Sequence, residues 1–555
     1  MILLKRKMKK GVLMLHLLEK KGKGLKWYVL VSLSLLLLSS CTTFGPTISD
    51  TAELMNISPY NQSLDAGDSV DLFCNTVPVD VGVLSYQWFE SLDGTAENGR
   101  IIPGATAPVY ATDTFTQPGI RYYYCKITNT KDSINTADGK IRAYKFSPIF
   151  SVAYTGLPTV YLNTHTATSE ITDKEYLENC SFTLVPTDDS IVADDEVEVK
   201  GHGNSTWGGK PKQSYNVKLD KKKELLGMAK SKKWVLLANY FDRTLLRNYY
   251  VDSLGNTLFT HMPWNPTGKS VDLVLNGEYM GTYLLSEKVK LEKNRVTVQD
   301  ISDLDEDVNG DGVINLDDGG FLLEVDVRYD EDKYFTTKQG VAVTLSDPDD
   351  AEDISDEMFN HIQNIVQTAE DALYSDTFTD EETGYAKYLD VDSVIDWYLI
   401  NEFTKNVDAN FFSSVYMYYD PADKKLHMGP IWDYDISCGN VKLYGCDEPE
   451  GYRIQGALWI SRLFEDPAFR VNVRARWDEL KGSLYQSVNH DIQSDADALE
   501  VSQTYNFMRL PILGTYIYPT PKGYLRRTTY QSEVDHLIHW LNIRYKWLDK
   551  NLPTE

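Results

Sequence analysis

The sequence predicts an α+β protein, with an all-β module ahead of a larger domain that mixes helices and strands. Three observations carry this. Residues 54–144 hold short alternating runs of apolar and polar residues, broken by turn signals such as Asp65-Ala66-Gly67-Asp68 and Pro118-Gly119. From Leu157-Pro158-Thr159-Val160-Tyr161-Leu162 onward, helical and strand periodicities mix. The 555 residues also exceed what one hydrophobic core organises, so two or more domains are expected.

The N-terminus reads as a leader. Lys5, Arg6, Lys7, Lys9, Lys10, Lys20, Lys21, Lys23 and Lys26 form a basic region ahead of an apolar run, Tyr28 to Leu38. Eleven residues suit a signal-peptide core and are short for a membrane span. Leu38-Ser39-Ser40-Cys41 resembles the lipobox of bacterial lipoproteins. This implies a signal peptide over 1–40, a lipid on Cys41 and a linker over 41–52. The chain beyond it then lies in the cell envelope, outside the cytosol and attached to a membrane through that lipid; the alternative is an uncleaved anchor. Removing the leader's net charge of +8 takes the formal charge from −26 to −34, which argues against nucleic acid as a partner.

Within the all-β module (53–146), Ser69 to Cys74 alternates as a half-buried strand does. Ser85-Tyr86-Gln87-Trp88-Phe89 and Tyr122 to Ile127 are two more strands. Cys74, Trp88 and Cys125 fall in the order of the B-strand Cys, C-strand Trp and F-strand Cys of an immunoglobulin-like sandwich, with Tyr123 at the tyrosine-corner position. A Cys74–Cys125 disulfide is expected in an oxidising compartment. The module carries no catalytic set and reads as a spacer or adhesive domain.

In the larger domain, Glu198-Val199-Lys200 leads into Gly201-His202-Gly203-Asn204-Ser205-Thr206-Trp207-Gly208-Gly209, and Gln213 to Leu219 follows as a strand. Glycines let backbone N–H groups approach phosphates, and Lys218 lies on the return strand. Alone, the pattern more commonly means a glycine-rich hairpin with a surface lysine. Beyond it come Lys233-Trp234-Val235-Leu236-Leu237-Ala238-Asn239, the helix start Phe241 to Asn248, and two strands joined by the hairpin signal Asn276-Gly277. The second strand ends at Ser286-Glu287-Lys288-Val289.

These segments, with Asn276-Gly277-Glu278-Tyr279 and Gly319-Gly320-Phe321-Leu322-Leu323-Glu324-Val325-Asp326, resemble the CotH kinase family in order and in content. The resemblance covers 153–553. It implies a protein-kinase-like two-lobed domain that binds ATP with Mg²⁺ or Mn²⁺ and phosphorylates Ser/Thr of a protein substrate or envelope partner. Gly203, Asn204, Ser205, Lys218 and Glu287 would hold the nucleotide, the last where a kinase hinge falls. Asn410, Asp433 and Asp435 would hold the metal, the two acids in Trp432-Asp433-Tyr434-Asp435. Asp408 would orient the substrate hydroxyl, with Lys218 on the phosphates as its catalytic companion. One departure stands out. The family spacing puts the catalytic acid five residues before the metal-binding Asn, where this chain has Lys405; Asp408 is two before it, and Glu402 is a further acid nearby. Asp408 is then a base on a shortened loop, or the site is impaired and the chain is a non-catalytic adhesion or assembly module. A carbohydrate-active enzyme is a third class, but no carboxylate pair stands out at glycosidase spacing.

A second metal signal lies in an insertion at 303–318. Asp307, Asn309, Asp311, Val313, Asn315 and Asp318 sit at positions 1, 3, 5, 7, 9 and 12 of a calcium loop, with Gly312 at position 6. Structural Ca²⁺ is expected there. Cys438 and Cys446 are either a loop-bracing disulfide or two free thiols, and Cys180 reads as a lone buried thiol. Val534 to Leu548 has helical spacing and reads as a packing helix.

Overall fold

The computed structural model describes residues 52–57, 61–64, 67–78, 82–134, 136–165, 171–172, 174–187, 191–204, 207–304, 315–329, 331–348 and 353–554. The leader, Cys41, Ser205 and four of the six calcium-loop positions (Asp307, Asn309, Asp311 and Val313) lie outside them. The chain divides into two compact units. One contains Asp71–Ala111 and Tyr122–Ile149; the other contains Pro59–Val70, Thr112–Arg121 and everything from Phe150 on.

The first eight strands are β1 (Ala52–Ile57), β2 (Asn61–Leu64), β3 (Asp71–Pro78), β4 (Val83–Ser91), β5 (Gly99–Ile101), β6 (Val109–Ala111), β7 (Gly119–Asp132) and β8 (Lys140–Phe146). In the smaller unit, β3 pairs with β1 and β6, while β4 pairs with β5 and β7, and β7 with β8, all antiparallel. Period-2 alternation sends Trp88, Cys125 and Ile127 to one face, where all three are fully buried. Trp88 Nε1 donates to Ala107 O at 2.9 Å, which satisfies its buried polar atom. The Cys74 and Cys125 side chains meet through a hydrogen bond, as two free thiols.

In the larger unit β2 pairs in parallel with β9 (Phe150–Tyr154). The next seven strands form a closed barrel. Its strands are β10 (Thr159–Asn163), β11 (Leu177–Val185), β12 (Val192–His202), β13 (Ser214–Leu225), β14 (Met228–Leu237), β15 (Gly268–Leu275) and β16 (Glu278–Glu287). The order is β10-β11-β12-β13-β14-β16-β15, and a parallel β10–β15 pair shuts it. Inward-facing Val160, Phe182, Val199, Val217, Trp234 and Leu273 fill it, so the barrel interior is a core. The β15–β16 hairpin turns through Asn276 and Gly277 at φ 50° and 80°, the left-handed pair a two-residue turn requires.

Helix α1 (Arg247–Thr257) lies between β14 and β15 in sequence. A second sheet follows, built from β17 (Phe321–Val325), β18 (Tyr334–Thr336), β19 (Ala342–Asp347), β20 (Val415–Asp420) and β21 (Lys425–Met428) in the order β18-β19-β17-β20-β21. The remaining helices are α2 (Asp356–Leu373), α3 (Val391–Thr404), α4 (Leu458–Leu463), α5 (Pro467–Ala498), α6 (Glu500–Arg509) and α7 (Tyr530–Asn551). Helix α3 is buried on almost every side, capped by Asp390 at its start and stopped by Lys405 at φ 50°. The expected closing helix is α7, entered through a Thr529/Ser532 capping box.

Two buried ion pairs tie these elements together. Arg544, on α7, donates to Glu402 Oε1 at 2.6 Å, and Glu402 also accepts the N–H groups of Arg453, Ile454 and Gln455. Glu402 is thus an anchor with its oxygens filled, and not an acid open to a substrate. In the second pair Arg247 donates to Asp242, both side chains being almost wholly buried. Asp242 also accepts from Thr244 N–H and Arg247 N–H, at 2.9 and 2.8 Å. Arg247 Nε reaches on to Ser437 O at 3.1 Å. Replacing Arg247 by Met strands the Asp242 charge, so Arg247→Met is expected to cost about 3–5 kcal/mol in denaturant unfolding. Adding Asp242→Asn should recover part of that loss.

Candidate active site

The larger unit contains a cleft of ≈ 590 Å³ that brings together most of the residues singled out in the sequence. One wall comes from the barrel. The strands β12 and β13 pair Glu198 with Lys218 and His202 with Ser214, so the glycine-rich segment is the connection at the end of this hairpin. Gly203 takes φ 86°, and a Cβ on Gly201 would run into the Trp207 ring at 2.4 Å. Gly203, Asn204 and Lys218 all line the cleft, and so do Lys174, Lys200, Lys233 and Lys288. Lys218 Nζ is 3.1 Å from the Glu198 carboxylate and one-third exposed, which leaves it open to the cleft.

The opposite wall is acidic. Glu324, at the middle of β17, accepts from Ser414 N–H and Tyr416 Oη at 3.1 and 2.9 Å. Asp326 follows β17 and is held by Arg328 Nη1, 3.2 Å from both its oxygens. Asp408, Asp433 and Asp435 complete the wall. The loop carrying the last two is fixed from several sides. Asn248, at the start of α1, accepts Tyr434 N–H at 2.6 Å and donates to Asn239 at 2.9 Å. Asn440 donates to Asp435 O at 2.6 Å, and Tyr434 Oη donates to Asn401 at 2.8 Å. Asp433 sits at φ 65°, a left-handed conformation that a non-glycine residue adopts only when its surroundings hold it.

Crowded acids resist ionisation. Burial, then the neighbouring Asp433, pushes Asp408 up to about 6. Burial pushes Glu324 up to about 7, although the Tyr416 hydroxyl opposes it. Asp435 is raised well above the carboxylate range by burial and by Asp433. Burial also raises Asp433, with Arg328 opposing. Asp408, Asp433 and Asp435 supply hard oxygen donors of the kind Mg²⁺ or Mn²⁺ takes, on one wall of the cleft, although the three do not bring ligand atoms within 4.8 Å of one another.

Two expected site residues are not brought to the cleft. Asn410 lies in a tight turn closed by Phe412 N–H on Asp408 O at 3.1 Å; with Phe411 buried in the core, the turn carries Asn410 off the cleft lining. Glu287 is 3% exposed, accepts Thr267 N–H at 3.1 Å and lies 3.7 Å from Arg295, so it is committed to the interior. Conversely, the sequence reading passed over Lys174, Lys200, Glu324, Asp326 and Arg328, and gave Lys233 and Lys288 no role. Lys233, Lys288, Glu324 and Asp326 stand inside the motifs already noted, so the signal was present but unassigned. Of the calcium positions, Asn315 and Asp318 are described; Asn315 Nδ2 donates to Asp318 at 3.0 Å. Elsewhere, Asp390, Asp423 and His427 bring one ligand atom each within 4.8 Å of one another, Asp390 being also the cap of α3.

A lysine-lined wall facing a carboxylate wall suits a metal-assisted phosphotransferase, because one side neutralises a phosphate chain and the other holds its cation. The chain matches the family model described as CotH kinase protein over residues 197–548, and it belongs to that family. No curated protein matches it.

The acid cluster carries a pH signature. The folded pKa of Asp408 lies above its unfolded value of 3.8, so its ionisation weakens the fold as pH rises from about 4 through 6. Asp408→Asn is expected to raise Tm by about 2–4 °C at pH 7 and to leave it unchanged at pH 4, measured by calorimetry without divalent cations.

Proposed function

We propose that this chain is an extracytoplasmic protein kinase that transfers the terminal phosphoryl group of ATP to Ser/Thr of a surface or envelope protein. The observation that carries this reading is the meeting of Lys218 and the glycine-rich connection with Asp408, Asp433 and Asp435 in one cleft. Asp433 and Asp435 would hold Mg²⁺ or Mn²⁺, which would offset the phosphate charge. Lys218 and its neighbouring lysines bind the phosphates. Asp408, with a pKa near 6, accepts the proton of the attacking hydroxyl and orients it. A non-catalytic surface module gives no reason for these charges to gather in one cleft.

The lipid on Cys41 would hold the enzyme at the membrane surface, outside the cytosol; no described helix is long and apolar enough to cross a membrane. The smaller unit is an immunoglobulin-like spacer in this reading, and its Cys74–Cys125 contact oxidises to a disulfide in that compartment. The insertion at 303–318 takes Ca²⁺ as a brace.

Two measurements test this. With labelled ATP and Mg²⁺, the full chain should label itself or a generic protein substrate, and Asp433→Ala should lower the rate by at least about 100-fold. Equal labelling by the variant would contradict the assignment. For the insertion, a calcium chelator should lower Tm by several degrees (of the order of 1–3 kcal/mol of lost ligand stabilisation), and Asp311→Ala should abolish that response.

A further inference from the structure

We infer that the donor site reads the phosphate chain and not the base, so that metal-complexed triphosphates in general, nucleotide or inorganic, serve as phosphoryl donors. The inference rests on the kinase reading and widens its donor class beyond ATP. Five lysines, Lys174, Lys200, Lys218, Lys233 and Lys288, line the cleft, a concentration of charge matched to a chain of phosphates.

A base finds little to recognise it. The strand end where the family resemblance sets a hinge has its backbone engaged. Glu287 N–H donates to Thr267 O at 3.1 Å, and Lys288 O accepts from Arg295 Nη1 at 2.7 Å. Among the described lining residues the aliphatic side chains are Leu237 and Ile436. The Tyr176 ring is covered by ammonium groups, Lys200 Nζ at 4.5 Å and Lys218 Nζ at 5.6 Å. Trp432 packs edge-on to His202 with centroids 6.2 Å apart. Tyr416 is buried with its hydroxyl on Glu324, so no aromatic slot for a purine is laid out among the described residues.

The step balances for any such donor. The acceptor hydroxyl oxygen forms a bond to the terminal phosphorus, and the bond from that phosphorus to the bridging oxygen breaks. The electron pair leaves with the shortened chain, and the hydroxyl proton passes to Asp408.

Isothermal titration calorimetry of the full chain in detergent tests this with the Mg²⁺ complexes of ATP, GTP and tripolyphosphate. The three dissociation constants are expected within about tenfold of one another. ATP binding tighter than tripolyphosphate by more than that overturns the inference and leaves the kinase reading standing. Binding of none of the three overturns both. A second variant sharpens the outcome. Asn216 lines the cleft with its Oδ1 buried beside the His202 ring, where an amide could read a nucleoside. Asn216→Ala should change ATP and tripolyphosphate affinity by equal factors; selective loss of ATP overturns the inference.

Discussion

The buried Asp242–Arg247 pair is the constraint on which the site depends. It fixes the first turn of α1 against the segment after Trp432-Asp433-Tyr434-Asp435, because Arg247 spends its remaining donors on Ser437 O and Cys438 O. The next residue, Asn248, takes Tyr434 N–H. A carboxylate cluster would otherwise spread to reduce its repulsion. Here its backbone is held by groups that are themselves buried and hydrogen-bonded, and the held loop accepts Asp433 in a left-handed conformation. The cost of a buried ion pair is then offset by what it positions more than by its own contribution to stability.

The cleft divides charge by element. The barrel contributes Lys200, Lys218 and Lys233, while the second sheet and the segments around it contribute Glu324, Asp326, Asp408, Asp433 and Asp435. Each wall is unfavourable alone, and each is what a metal-bound phosphate chain would neutralise. A seven-stranded closed barrel leaves no free strand edge, so its rim projects lysines and a glycine-rich connection from a rigid support. Glu402, an acid that proximity alone might recruit, is taken out of play by Arg544 and three backbone N–H groups.

Much of this was legible in the sequence, and the limits have physical causes. Local signals held. Asn276-Gly277 is the tight turn, and Gly203 lines the cleft with Lys218. Long-range closure was not legible, because the parallel β10–β15 pair joins strands a hundred residues apart and leaves no local trace. Among the residues that line the cleft, Asp408, Asp433 and Asp435 were singled out through motif order. Asn410 was placed by its order in the family pattern, and order does not reveal that Phe411 is buried and turns the chain. Glu287 was placed by strand position, which does not reveal Arg295 beside it. Lys200, Glu324 and Asp326 came forward only when two sheets from distant sequence faced one another.

Because α1 holds the loop that carries Asp433 and Asp435, the metal affinity proposed for these acids should depend on Asn248. Electron paramagnetic resonance titration of Mn²⁺ into the full chain and into Asn248→Ala tests it most directly. The claim predicts Mn²⁺ binding by the native chain and an affinity about 10–100-fold weaker in the variant, with cooperative unfolding retained. Equal Mn²⁺ affinity in the two proteins would contradict it.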